Sequence, residues 1–319
     1  MRRRKMFLSC GDALFDCFSV PTDGPATIRL DGRVGGSPLN VALGLARLGR
    51  PVGYFTKNST DLFGRRILAF LQKEGVDTSL IVPTSRNSTL AMVELDKTGS
   101  ASYAFYTGGT ADRSLEQSEL PAQLPAAIRA IHIGSYTTAT EPTASTLVAL
   151  VKRERDRRFI SYDPNIRPSI EPDLDLWRAR IASLVGTAHL LKLSSEDAEL
   201  LFPKQSLESL AQDWTRRGVR LVIVTKGGEG AIGFTGHGVS AAVPGVHVNV
   251  VDTVGAGDTF QAATLAWLEK HDALGGAEAA DLDSDALRAL LSFGARAAAI
   301  TCSRRGADLP FAADLKDFS

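Results

Sequence analysis

The stretch Asp252-Thr253-Val254-Gly255-Ala256-Gly257-Asp258-Thr259-Phe260 places a carboxylate directly after a Gly-Ala-Gly turn. A β-like run at 246–251 precedes it, and the helix formers of 260–268 follow, so the turn opens a helix. Backbone N–H groups at such a turn are unpaired, and the helix dipole adds positive character, which suits an anion. Binding a phosphate needs no acid there. Moving one onto a hydroxyl needs a base, and Asp258 supplies one. The same residues have a plainer use, since Asp caps helices well and small residues let helix and sheet pack closely.

The elements that must position this turn read as α/β. A short strand at 7–10 ends at Gly11-Asp12, and β-like pairs follow at 13–20 with 27–34 and at 89–95 with 101–106. Gly35-Gly36-Ser37-Pro38 opens a helix over 39–48, with Ser37 as N-cap and Pro38 at the first helical position. A strand at 52–56 and a helix at 61–74 complete a first β-α repeat. From residue 130 strands and helices alternate: 131–133, 143–157, 159–162, 174–185, 190–193, 207–217 and 221–224. That alternation predicts a mostly parallel sheet with helices on both faces, and a helix at 284–300 closes the chain. The early hairpins do not fit a parallel sheet, so the segments at roughly 13–34 and 88–108 are read as a small β lid inserted in a single domain, 1–319.

Ligands of open α/β sheets sit outside the carboxyl ends of the strands. Six clusters fall there: Gly11-Asp12, Gly35-Gly36, Asp163-Pro164-Asn165-Ile166-Arg167, Ser194-Ser195-Glu196-Asp197, Thr225-Lys226-Gly227 and the opening turn. A rival signal is Gly228-Glu229-Gly230-Ala231-Ile232-Gly233, which fits the dinucleotide fingerprint directly after a strand, with Asp252 as a ribose-binding acid. That fingerprint requires a helix within the glycines, whereas Phe234-Thr235-Gly236-His237-Gly238 reads as strand and turn, against a dehydrogenase. Walker A and the protein-kinase catalytic loop are absent.

At 319 residues, 44% hydrophobic and 23% charged, the composition is that of a globular protein with a large core. Lys plus Arg and Asp plus Glu number 36 each, so no global field favours nucleic acid or an anionic membrane. The basic run at 152–158 reads as the solvated end of a helix. Three cysteines without a CxxC argue against a disulfide framework or a zinc site and fit a reducing cytoplasm. The basic start at 1–5 leads into too short an apolar run for a signal peptide, and no run is long enough to span a membrane.

Gly35-Gly36-Ser37-Pro38-Leu39-Asn40-Val41-Ala42 resembles the N-terminal signature of the ribokinase-like carbohydrate kinases, also called the PfkB family. The run from Asp252 to Asp258 resembles that family's C-terminal signature, and the likeness covers nearly the whole chain. Asp163-Pro164-Asn165-Ile166-Arg167-Pro168, Phe105-Tyr106 with Ala111-Asp112, and Thr301-Cys302-Ser303-Arg304-Arg305-Gly306-Ala307 are similar to the fructokinase-like branch. Two departures stand out. The family's Asn-x-x-Glu appears as Ser194-Ser195-Glu196-Asp197, and Thr107 stands where fructokinase-like chains often carry Arg.

The resemblance implies a ribokinase-like α/β fold and an ATP-dependent sugar kinase that phosphorylates a hydroxymethyl group, with fructose as the leading substrate. Asp258 would be the base, with Gly255, Ala256 and Gly257 offering N–H groups to the γ-phosphate. Asp16, Asp12, Gly35, Gly36, Asn40, Tyr106, Asn165 and Arg167 would hold the sugar. Asp12 could instead cap a loop, and Arg167 could be a surface ion-pair partner. Ser194, Thr225, Gly227 and Gly230 would line the nucleotide, Glu196 and Asp197 would serve Mg2+, and Asp252 a monovalent cation such as K+. A homodimer sharing its lid is implied, without nucleic-acid or membrane partners. Within the enzymes, a 2-keto-3-deoxygluconate kinase and a ribokinase or nucleoside kinase are the alternatives; outside them, a catalytically inactive sugar-binding regulator.

Overall fold

The computed structural model describes residues 6–20, 22, 24–95, 101–275 and 277–318. The turn read at 96–99, two residues of the one at 21–25, and the basic start at 1–5 lie outside them. In chain order the first half runs β1 (Met6–Cys10), β2 (Leu14–Val20), β3 (Arg29–Gly35), α1 (Ser37–Arg47), β4 (Val52–Phe55), β5 (Lys57–Ser59), α2 (Leu62–Lys73), β6 (Val82–Thr84), β7 (Thr89–Leu95), β8 (Ala101–Tyr106) and β9 (Ile128–Gly134). The second half runs α3 (Thr143–Glu154), β10 (Phe159–Asp163), α4 (Leu174–Val185), β11 (Leu190–Ser194), α5 (Ser195–Leu201), α6 (Leu207–Arg216), β12 (Leu221–Thr225), β13 (Ala231–Thr235), β14 (Ser240–Val243), α7 (Ala256–Lys270) and α8 (Ser284–Cys302).

The main sheet has the order β14-β13-β12-β11-β10-β9-β1-β4. Its strands from β12 to β4 are parallel, and β13 and β14 add an antiparallel edge. The parallel strands are near-continuous apolar runs because both of their faces are covered. Leu190 and Leu221 pack with Leu45 of α1, Leu268 of α7 and Leu291 of α8 on one side. Their neighbours Leu191 and Val222 pack with Leu150 of α3, Trp177 of α4 and Trp214 of α6 on the other. A second sheet, β3-β2-β7-β8, joins the two early hairpins through a parallel β2–β7 pairing.

Two local readings are corrected, and a third gains its local structure. Residues 246–250 form no strand, and Val250 and Val251 are exposed, so the β-like composition there belongs to a surface loop. Gly36, not Ser37, is the N-cap of α1; Ser37 and Pro38 are its first two helical residues. Ser194-Ser195-Glu196-Asp197 is a helix start, with the Ser194 hydroxyl accepting the Asp197 N–H at 3.0 Å. Side-chain caps of this kind, each worth about 1 kcal/mol, also begin α2, α4, α6 and α8, where Asp61, Asp173, Ser206 and Asp283 accept first-turn N–H groups.

Candidate active site

The N-termini of α1 and α7 face each other, and one carboxylate joins them. The Ser37 hydroxyl donates to Asp258 Oδ1 at 2.7 Å, and Asn40 Nδ2 donates to Oδ2 at 2.8 Å. Asp258 is only 7% exposed. Burial holds its carboxyl above the usual carboxylate range, opposed by the bonds from Asn40 and Ser37. Gly255 caps α7 in the left-handed region at φ 78°, where a Cβ would also stand 2.8 Å from the Ala307 Cβ. No side chain caps this helix; the Ala256 N–H donates to the Thr253 carbonyl at 3.2 Å, while those of Gly255 and Gly257 face the cavity end of the turn for a ligand.

A cavity of about 410 Å³ opens over this point, between the second sheet and the carboxyl ends of the main one. Of the expected residues, Asp12, Asp16, Gly36, Asn40, Asn165, Arg167, Gly255, Gly257 and Asp258 line it. Asp12 is driven up to about 7 by burial and then by Asp112, and its Oδ2 accepts the Ser37 N–H at 3.0 Å. Burial also pushes Asp16 up to about 6, against the pull of the Arg167 guanidinium. The Asn40 Oδ1 is buried without a partner among the described residues, an acceptor available to a ligand hydroxyl.

Other expected residues sit elsewhere. Gly35 is behind the cavity wall, where a Cβ would come within 2.2 Å of Asp16 Oδ2; its lack of a side chain makes room for that carboxylate. Tyr106 does not line the cavity and is 61% exposed. Its neighbour Phe105 lines it instead, because successive side chains of a strand point to opposite faces. Ala256, the first residue of α7, is likewise not among the lining residues.

Ser194 and Thr225 lie side by side in register at the ends of β11 and β12, beyond the cavity. Gly227 faces open space at φ 52°. At Gly230 a Cβ would meet the Val243 carbonyl oxygen at 2.1 Å, so the bare backbone there serves packing against 243–245. Residues 231–235 form β13, antiparallel to β12, which removes the dinucleotide fingerprint. Asp197 Oδ1 accepts the Ile166 N–H at 3.3 Å, whereas Glu196 is exposed beside the Ser195 hydroxyl. Among the described residues no group of three or more His, Cys, Asp or Glu could hold a metal ion. Asp252 accepts the Val254 and Gly306 N–H groups at 3.0 and 2.8 Å, tying the glycine turn to the one at 304–306.

Several lining residues escaped the sequence reading, among them Ser135, Tyr136, Ser169 and Thr253. Tyr136 donates to the buried Asp112, which also accepts from Thr89 and Thr110 at 2.6 and 3.0 Å. Asp112 thus fastens the cavity wall to β7. Lys192, fully buried, was missed although a lysine inside an apolar strand is a visible signal.

The sequence profile of the pfkB family carbohydrate kinases matches residues 7–313. The chain belongs to this family. It is 40% identical over 286 residues to a fructokinase of Rhizobium leguminosarum bv. trifolii, covering 89% of this chain and 86% of that one. A fructokinase of Oryza sativa subsp. japonica is 32% identical over 312 residues, covering 95% and 89%. A crystal structure of fructokinase with bound ATP from Xylella fastidiosa has a TM-score of 0.90 at 25% identity, covering 98% of each chain. A Vibrio cholerae O395 fructokinase double mutant, in its fructose, ADP and potassium ion bound form, has a TM-score of 0.82 at 27% identity, covering 99% and 98%. The ribokinase-like fold and the membership of a carbohydrate kinase family are thereby established. Among the described residues no helix is long and apolar enough to cross a membrane.

Proposed function

We propose that this pfkB family member is an ATP-dependent fructokinase. The observation that carries the mechanism is Asp258, a buried carboxylate gripped through both oxygens at an uncapped helix N-terminus and facing a polar cavity. Phosphoryl transfer asks mainly for positioning and charge stabilisation, with a base to take the hydroxyl proton. Asp258 accepts the proton of a sugar hydroxymethyl group while that oxygen attacks the γ-phosphorus in line. The bond from γ-phosphorus to the β–γ bridging oxygen breaks, and ADP leaves with that electron pair. The backbone N–H groups of Gly255 and Gly257 stabilise the oxygens of the transferred group, and the Ala256 N–H joins them by turning from the Thr253 carbonyl that it meets at 3.2 Å.

Asp12, Asp16, Asn40, Asn165 and Arg167 hold the sugar hydroxyls, and Ser194, Thr225 and Gly227 border the nucleotide. The second sheet acts as the lid, excluding water that would otherwise accept the phosphoryl group. Magnesium would be carried by ATP and water, in keeping with the lack of a carboxylate cage among the described residues, with Glu196 and Asp197 in the first turn of α5 serving it. Its charge would stabilise the phosphate oxygens. Asp252 and the turn at 304–306 would hold a potassium ion. A homodimer sharing lid strands follows the same reading, and the soluble cytoplasm is the compartment it fits. Retention of the complete Asp258 arrangement favours an enzyme over a sugar-binding regulator.

The test is a coupled ADP-release assay with ATP and a sugar panel containing fructose, 2-keto-3-deoxygluconate, ribose and a nucleoside. Fructose should give the highest kcat/KM. A higher value for another sugar reassigns the substrate, and no sugar-dependent ADP release supports the regulator.

A further inference from the structure

Strand β11 reads Leu190-Leu191-Lys192-Leu193-Ser194, and its lysine is 3% exposed. A buried ammonium is costly unless it is paired. Lys192 Nζ lies 2.7 Å from Asp163 Oδ2, at the end of β10. The same nitrogen lies 3.7 Å from the place a Cβ on Gly257 would occupy, beneath the turn that leads into Asp258. Asp163 Oδ1 also accepts the Asn165 N–H at 3.2 Å, at the start of the loop that brings Asn165 and Arg167 to the cavity. Neither Lys192 nor Asp163 lines that cavity.

We propose that Lys192, paired with Asp163, is a positioning residue for the transfer: it fixes the loop bearing Asn165 and Arg167 against the α7 N-terminus and sets positive charge beneath the base. This rests on Asp258 being the base. The groups around Lys192 come from every neighbouring element. They are Asp163 on β10, Asp258 on α7, Asp197 on α5 and His132 on β9, and Arg167 on the loop after β10 faces Asp197 in turn. Burial, and then Lys192, push His132 down to about 3, so it stays neutral near pH 7. Asp16 on β2 and Tyr54 on β4 complete the set that faces Asp258. Asp163 disfavours negative charge on Asp258 and Lys192 favours it, so the pair is balanced across the base. An ion pair that only filled the core would leave the proton affinity of Asp258 alone when both partners were neutralised or when either was.

The experiment measures the pH profile of kcat at saturating fructose and ATP, where the KM effects of Asp12 and Asp16 drop out, in Lys192→Met, Asp163→Asn and the double variant. In Lys192→Met the acid limb should move to higher pH, and misplacement of the loop should lower turnover at neutral pH roughly 10- to 100-fold. In Asp163→Asn the limb should move to lower pH. The double variant should return the limb towards its wild-type position. Losses of turnover with all limbs unmoved would make the pair a packing element and overturn the inference. If Lys192→Met does not fold, Asp163→Asn and the double variant decide, since a limb that stays or rises in Asp163→Asn contradicts it. Asp258→Asn run alongside separates the two claims. Near-normal turnover there overturns the base assignment, whereas an inert Asp258→Asn with unmoved limbs overturns only the role of Lys192.

Discussion

The two ends of the candidate site are built differently. The sugar end is made of side chains: Asp12 is 1% exposed, and Asp12, Asp16 and Asp258 are all held above the ordinary carboxylate range chiefly by burial. The nucleotide end is made of backbone, with Gly227 open to solvent and the exposed Val250 and Val251 on the loop that leads into the glycine turn. Buried carboxylates destabilise the fold, and they are tolerated where a ligand's hydroxyls must be told apart. Backbone N–H groups bind any phosphate and ask little of side-chain identity. On the proposed assignment of the two ends, selectivity therefore belongs to the sugar end and general anchoring to the other.

Substitutions at each end should separate accordingly. The largest effect is expected at the junction. A Cβ on Gly257 would have, beyond its own helix and among the described residues, only the Lys192 Nζ within 4 Å, at 3.7 Å, yet it intrudes on the anion site. Gly257→Val should keep its melting temperature and lose on the order of 10²–10³ in kcat, as removal of an oxyanion donor does. A variant that turned over normally would reduce the turn to a packing device. Arg167→Ala should raise the fructose KM roughly 10- to 100-fold, the worth of a charge-assisted hydrogen bond, with the ATP KM unchanged. Equal rises in both would erase the division between the ends.

Ser37→Ala removes one grip on Asp258 and should lower kcat roughly tenfold, in keeping with about 1.5 kcal/mol for a hydrogen bond to a charged group. It should also move the acid limb to higher pH, since that bond favours the charged carboxylate. The pH effects come last. Asp12 and Asp16 accept hydroxyl donors best when ionised, so fructose KM should rise as pH falls through about 7 and about 6, while ATP KM stays flat. Stability should run the other way. Asp12 keeps its proton in the folded chain at a pH where the unfolded chain has lost it, so folding weakens as pH rises from about 4 to 7. Asp12→Asn should melt higher than wild type at pH 8, and thermal melts across pH check this.

Much of the architecture was legible because helices and parallel strands carry strong periodic and apolar signals. The 174–185 helix and the 89–95 strand were read at their observed bounds. The 246–250 loop misled because valines in sequence look like a strand, although no neighbour pairs with them. At the site, the glycines and Asp258 were readable because local chemistry fixes them. What the sequence could not tell was direction: that Phe105 and not Tyr106 faces the cavity, or that the Ser37 hydroxyl turns to Asp258 across 221 positions. Gly35 and Gly230 looked like ligand contacts, whereas their bare Cα atoms make room for Asp16 and for the backbone at 243–245. Those facts depend on tertiary packing.

The most direct measurement is the steady-state rate of Asp258→Asn with ATP and fructose, with ATP binding followed by calorimetry. Loss of the base should cut kcat by on the order of 10²–10⁴, with ATP affinity within a few-fold of wild type. Near-wild-type turnover in a variant that binds ATP would contradict the account.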